Sequence, residues 1–164
     1  GWRSMSSRDA AMAENVIWIL QREGPSGRIA LFAHNGHVMN ARLEGGVWSA
    51  FERPPNAMGR YLKPVLGDDL VIIGTVGTSS LAEASDPPIA ASIDAEFAKI
   101  GFSHFILDLR ASGGEPAAAW LAERQTLGTN MTTHMALTPV SAFDALLFLG
   151  TLTPARIEPA VTAN

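Results

Sequence analysis

The stretch Arg28-Ile-Ala-Leu-Phe-Ala-His-Asn-Gly-His-Val38 decides the predicted fold of this chain. Five apolar residues, Ile29 to Ala33, follow one another without polar alternation, which is typical of a strand buried on both faces in a helix-covered parallel sheet. The run changes abruptly to His34-Asn35-Gly36-His37, where the strand is expected to end. Because ligands bind at the carboxyl ends of strands in open α/β sheets, the two imidazoles and the carboxamide are the first site candidates.

Both histidines can line one site only if the chain turns between them. On a straight strand, side chains three positions apart face opposite sides. Gly36 is the expected turn residue, because glycine adopts positive φ without steric cost. A lone histidine at a strand end is more often a structural hydrogen-bonding group than a catalyst, and this close pair leaves both interpretations open.

The rest of the chain alternates predicted helices and strands. The predicted helices cover residues 6–22, 57–66, 93–100 and 115–124, and the predicted strands cover 28–33, 70–73, 102–109 and 143–149. The segments 41–56, 74–80 and 126–141 are interpreted as loops or irregular structure. This α-β-α-β-α-β-α-β order predicts an α/β fold with a mostly parallel sheet and helices on both faces. A length of 164 residues favours one domain.

The first predicted helix combines an apolar stripe with polar residues near its start. The stripe consists of Met12, Val16, Ile19 and Leu20, at three- to four-residue spacing. The polar residues are Arg8, Asp9, Glu14 and Asn15. Without further information, these polar residues are interpreted as a solvated face.

Composition excludes several classes of protein. The chain has no cysteine, so disulfides, thiolate metal sites and a catalytic thiol are excluded. Its net charge of -4 without a basic cluster argues against a nucleic-acid partner. Neither a membrane-length apolar stretch nor a signal-peptide layout is present, so we expect no membrane partner and a cytoplasmic location.

Two further patterns offer weaker chemical leads. Arg110 follows a predicted strand, where arginine can hold a carboxylate or an oxyanion, although a structural salt bridge is the more common use. The pair His34-x-x-His37 can contribute to a metal site only if a third ligand, such as Glu14 or Asp108, converges on it.

Five segments together resemble a known family. In chain order they are Arg8-Asp9-Ala-Ala-Met12-Ala13-Glu14-Asn15, Leu31-Phe-Ala33-His34-Asn35-Gly36-His37, Met58-Gly59, Ile72-Ile-Gly74 and Phe143-Asp144-Ala-Leu-Leu-Phe148. They are similar to the erythromycin esterase family, which also includes proteins described as succinoglycan biosynthesis proteins. The resemblance spans nearly all of this chain but only the C-terminal part of family members, which are about twice as long. Residues 1–164 are therefore expected to form a single α/β domain of a longer protein.

The resemblance implies hydrolysis of a macrolide lactone or another carboxylic ester by water, without a metal or other cofactor. It implies catalytic roles for His34 and His37, with Glu14 as an additional orienting residue. A neutral imidazole suits general base work or donation to an oxyanion, and His34 is expected to position the water or the oxyanion. The predicted substrate-binding residues are Arg8, Asn15, Asn35 and Arg110.

The same resemblance places the catalytic base of the family in an N-terminal part that has no counterpart here. This chain alone is therefore expected to be inactive or weakly active towards a small-molecule ester. Two alternatives stay open. One is a non-catalytic accessory module or inactive fragment, which would self-associate through apolar surface that the N-terminal part normally covers. The other is a metal-dependent hydrolase that uses His34 and His37.

Overall fold

The computed structural model describes residues 2–79, 89–110, 116–128 and 134–152. The helices are α1 (Trp2–Glu23), α2 (Asn35–Val38), α3 (Met58–Leu66), α4 (Ile93–Ala98), α5 (Pro116–Ala122) and α6 (Pro139–Ala142), with 3-10 turns at Gly46–Ala50 and Gly67–Asp69. The strands are β1 (Ile73–Ser79), β2 (Phe105–Asp108), β3 (Gln125–Gly128), β4 (His134–Leu137) and β5 (Ala145–Leu152). Within these ranges, no helix combines the length and apolarity needed to cross a membrane.

The strands of the described part form two small sheets instead of one mostly parallel sheet. The larger sheet has the order β1-β5-β2, in which β1 pairs with β5 in parallel and β2 pairs with β5 antiparallel. The smaller sheet is the antiparallel pair β3-β4. The predicted mostly parallel sheet with helices on both faces is therefore wrong.

The predicted strand at residues 28–33 accounts for much of this error. These residues have no regular secondary structure, and Phe32 is fully exposed while Leu31 is 42% exposed. An apolar run indicates a tendency to be buried, but strand formation also needs a neighbouring strand that supplies hydrogen bonds. No strand in the described ranges pairs with this segment.

Other element predictions agree in part. The helix predicted for 57–66 is α3, which ends at Gly67, and Ser92 caps α4 by accepting a hydrogen bond from the Ala95 amide at 3.2 Å. The predicted loop 74–80 is wrong where it is described, because β1 includes residues 74–79. The segment 126–141 is not irregular, since it contains most of β3 and β4.

Two apolar clusters hold these elements together. The larger one packs the sheets against α4 and α6, and the smaller one joins α1 to α3 through Ala13, Val16, Met58 and Leu62. Val16 belongs to the predicted stripe of α1, whereas Ile19 is 38% exposed. The second cluster fixes the orientation of α1 beside α3, and α3 in turn packs against α2.

Candidate functional site

The segment that carries both histidines is fixed to β1 by one carboxamide. Asn35 Nδ2 donates to the Thr75 carbonyl at 2.6 Å, and Asn35 Oδ1 accepts from the Thr75 amide at 2.9 Å and from Thr75 Oγ1 at 3.2 Å. The side chain thus pairs with the β1 backbone much as a neighbouring strand would. These contacts explain how Asn35 positions α2, while its predicted role in substrate binding remains a prediction.

His34 caps the N-terminus of α2. Its Nδ1 accepts a hydrogen bond from the Gly36 amide at 3.1 Å. A neutral imidazole that accepts at Nδ1 must carry its proton on Nε2. The proton of the neutral His34 ring therefore lies on Nε2.

The chain does turn between the histidines, but not through a left-handed glycine. Gly36 lies inside a helical turn and is not among the glycines with positive φ, so that prediction is wrong. Its small size matters here because the space around it is tight. An added Cβ would lie 3.1 Å from Leu43 Cδ2 and 3.2 Å from His34 Nδ1.

His37 has the opposite arrangement of proton and lone pair. Its Nδ1 lies 2.6 Å from Oδ1 of Asp9, whose side chain is only 1% exposed, whereas the His37 side chain is 21% exposed. Because an ionised carboxylate only accepts hydrogen bonds, Nδ1 is the donor, and in the neutral ring Nε2 keeps its lone pair. Asp9 Oδ2 is buried and has no hydrogen-bond partner among the described residues, so the contacts of this carboxylate are directed to His37.

The two rings therefore offer complementary chemistry within one helical turn. His37 Nε2 can accept a proton, and His34 Nε2 can donate a hydrogen bond to developing negative charge. A buried carboxylate that holds an imidazole by Nδ1 fixes its orientation and stabilises the imidazolium that forms on protonation.

Asp9 is not among the predicted site residues, although its position on the buried face of α1 is a usable sequence signal. Asp9 precedes Ala13 by four residues and Val16 by seven, which places it on the buried face of α1. A carboxylate on a buried stripe needs a partner, and a histidine elsewhere in the chain is a good one.

The other predicted site residues lie on the surface. Arg8, Glu14 and Asn15 are exposed on α1. Arg110 donates to Asp108 from Nε at 3.0 Å and from a terminal nitrogen at 2.8 Å, and this hydrogen bonding raises the pKa of the guanidinium. The structure thus shows the salt-bridge use of Arg110, and the substrate-binding roles of these residues remain predictions.

Other polar groups are accounted for by structural contacts. His134 Nε2 accepts from the Gly46 amide at 3.2 Å, which ties the 3-10 turn to β4. Asp94 accepts from the Gly128 amide at 2.5 Å, which joins α4 to β3, and burial raises the pKa of the Asp94 carboxyl. In the part of the chain that is described, no three His, Asp or Glu side chains converge as metal ligands.

An imidazole oriented by a buried carboxylate is a unit that hydrolases use to activate water. The sequence profile described as erythromycin esterase matches residues 1–152, and this chain belongs to that family. Membership supports a hydrolase-like function at the level of the family.

A curated relative and a solved structure are similar to this chain over part of their own length. Erythromycin esterase type II of Escherichia coli is 29% identical over 86 residues, which are 52% of this chain and 19% of that protein. A Bacillus cereus protein of known structure is 24% identical with a TM-score of 0.70, and the match covers 92% of this chain and 39% of that one.

Two further structures share the fold. A succinoglycan biosynthesis protein is 20% identical with a TM-score of 0.69, covering 87% of this chain and 37% of that one. A histidine-to-asparagine mutant of the erythromycin esterase EreC, in its open conformation, is 18% identical with a TM-score of 0.62, covering 88% and 36%. The chain thus spans less than two fifths of these solved relatives and about one fifth of the curated one.

Proposed function

We propose that this chain contributes the histidine part of a site that hydrolyses a carboxylic ester, such as a macrolide lactone, with water. The observation that carries the proposal is the 2.6 Å contact between His37 Nδ1 and the buried Asp9 carboxylate. It accompanies the match to the erythromycin esterase family over residues 1–152.

In this proposal, a water molecule hydrogen-bonded to His37 Nε2 attacks the ester carbonyl carbon. His37 accepts a proton from that water, and Asp9 stabilises the resulting imidazolium. The carbonyl oxygen gains negative charge in the tetrahedral intermediate, where His34 Nε2–H donates to it. Collapse of the intermediate expels the alcohol oxygen, which takes the proton back, and leaves the carboxylic acid.

The chain alone is proposed to turn over esters only weakly. The two solved relatives with the highest structural similarity described above are more than twice its length, so a family-length protein has further segments that can add catalytic groups. Removing part of a catalytic constellation that acts as a unit reduces the rate by orders of magnitude. The proposal therefore concerns the role of His34 and His37 and does not require efficient catalysis by residues 1–164.

The experiment pairs a structural readout with a kinetic one. Nitrogen NMR of the imidazoles should show protonated Nδ1 in neutral His37 and protonated Nε2 in neutral His34. Hydrolysis of p-nitrophenyl acetate should fall about 10- to 100-fold in His37→Ala and substantially in Asp9→Asn. His104→Ala removes an exposed histidine and serves as the matched control, with an unchanged rate.

Erythromycin ring opening, followed by mass spectrometry, tests the macrolide as substrate. Aryl ester hydrolysis that is equal in the wild type and His37→Ala would contradict the proposed role of His37. Reversed tautomers in the NMR spectra would contradict the proposal that His37 accepts the proton and His34 donates to the oxyanion.

A second candidate function is a non-catalytic module that associates through residues 28–33. The full exposure of Phe32 and the partial exposure of Leu31 favour it, because neighbouring exposed apolar side chains often mark interfaces. Sedimentation velocity should then show self-association that Phe32→Ser weakens. A compact monomer at all concentrations would count against this candidate.

A further inference from the structure

A pocket of about 360 Å³ lies where the end of α2 meets α3, α6 and the start of β5. Its polar side chains are those of Asn40, Lys63, Ser141 and Asp144, and its apolar wall includes Ile72 and Phe143. A small open pocket with an apolar wall and a few convergent polar groups is typical of a small-molecule site. Asn40 lies three residues after His37 and two residues after the end of α2, so the pocket adjoins the end of the helix that carries His37.

The charged groups in the pocket are held in place but incompletely paired. Lys63 Nζ donates to the Leu70 carbonyl at 3.3 Å, and Asp144 Oδ2 accepts from the Ile72 amide at 2.7 Å. Between them, Lys63 Nζ and Asp144 Oδ1 are 3.8 Å apart. That distance is too long for a direct hydrogen bond, yet one oxygen atom can lie within hydrogen-bonding distance of both groups.

The opposite side of the pocket supplies further hydrogen-bonding capacity. Asn40 Nδ2 donates to the Ser141 carbonyl at 3.2 Å, which fixes the carboxamide. Asn40 Oδ1 and the Ser141 hydroxyl have no partner within the described residues, and Ser141 is exposed. Two oxygen atoms are therefore available to a ligand that already occupies the gap between Lys63 and Asp144.

We propose that this pocket binds a hydroxyl-rich small molecule, a sugar or another polyol. A hydroxyl group accepts and donates at the same atom, so it can accept from Lys63 while donating to Asp144. A neighbouring hydroxyl can donate to Asn40 Oδ1. Because the Lys63 and Asp144 charges cancel, the pocket has no strong preference for a charged ligand.

The test is an NMR titration of the whole chain with D-glucose. Backbone amide shifts should concentrate at Asn40, Ser141 and Asp144, with a dissociation constant of about 1–10 mM, as expected for a few hydrogen bonds in an open pocket. Cyclohexanol, which has the same ring size and one hydroxyl, should bind at least about tenfold more weakly. Equal binding of the two probes, or no saturable shifts with glucose, would overturn the proposal.

Two variants distinguish this pocket from other surfaces. Lys63→Met keeps the aliphatic length but removes the ammonium group, and it should weaken glucose binding about tenfold. Arg60→Met, at an exposed position of the same helix, should leave binding unchanged. Ser141→Ala removes a hydroxyl that makes no hydrogen bond within the described residues, and it should weaken glucose binding a few-fold. This variant tests the pocket if Lys63→Met does not fold. Wild-type affinity in folded Lys63→Met would refute the assignment.

Discussion

Replacing Gly59 with alanine should destabilise the protein, although alanine is the better helix former. Gly59 lies in the first turn of α3, where that helix meets the end of α2. An added Cβ would lie 1.9 Å from the Val38 carbonyl oxygen and 2.6 Å from that of Met39. These are backbone atoms, so no side-chain rotation relieves the contact, and the backbones of α2 and α3 must move apart.

The expected magnitude follows from two opposing terms. Helix propensity favours alanine over glycine by about 1 kcal/mol. Overpacking of a well-packed contact costs about 1–3 kcal/mol and occasionally more, and a contact between backbones lies at the upper end. We therefore expect the free energy of unfolding to fall by about 2 kcal/mol, a substantial part of the stability of a typical domain.

Urea unfolding followed by far-ultraviolet circular dichroism measures this change, and Gly67→Ala is the matched control at the other end of α3. Gly67 has φ of +55° and ψ of −126°, a conformation that side chains rarely adopt, and no atom within 4 Å of an added Cβ. Its replacement therefore costs backbone strain of about 1–3 kcal/mol without any clash between helices. If Gly59→Ala is as stable as the wild type, the close approach of α2 and α3 is not a constraint in solution, and the reasoning fails.

Three smaller perturbations test other contacts. Asn35→Ala should lower the free energy of unfolding by about 1–2 kcal/mol, because Thr75 loses three hydrogen bonds, as urea unfolding would measure. Burial raises the pKa of Asp94 above its ordinary value of 3.8, so the folded state binds this proton more tightly than the unfolded state does. As pH rises from 3.8 through the raised pKa, the wild type should therefore lose stability relative to Asp94→Asn. Urea unfolding of both proteins across this pH range measures the difference, and a wild type that gains stability relative to Asp94→Asn would contradict the prediction. Arg110→Ala should leave the melting temperature unchanged, because its ion pair with Asp108 is exposed; a clear decrease would contradict this.

Helices with local signals were the predictable part of the fold. Ser92 precedes α4 and Gly67 follows α3, and each acts only on the adjacent helical turn. Such local effects can be predicted from the sequence. The strand predicted at 28–33 failed because pairing depends on residues far away in the chain. Apolar composition does not identify such a partner.

The hairpin of β3 and β4 was missed for a different reason. Leu127, Met135 and Leu137 are buried at alternating positions, but the remaining buried position of this pattern holds the polar residue Gln125. Its Nε2 donates to the Trp120 carbonyl at 2.6 Å, which makes that burial possible and breaks the apolar alternation. At the candidate site, the family resemblance indicated the two histidines. Which ring nitrogen of each histidine carries the proton could be inferred only from their contacts with Gly36 and Asp9.

The central position of β5 affects the order of events during synthesis. β5 is the last strand described, yet β1 and β2 both pair with it, and the pairing of Ile73 with Ala145 spans 72 positions. While a ribosome is still translating the codons for β5, the emerging polypeptide holds β1 and β2 without their shared neighbour. Assembly of this sheet must therefore wait until residues 145–152 leave the exit tunnel, and until then exposed strand edges are open to chaperones and to misassembly.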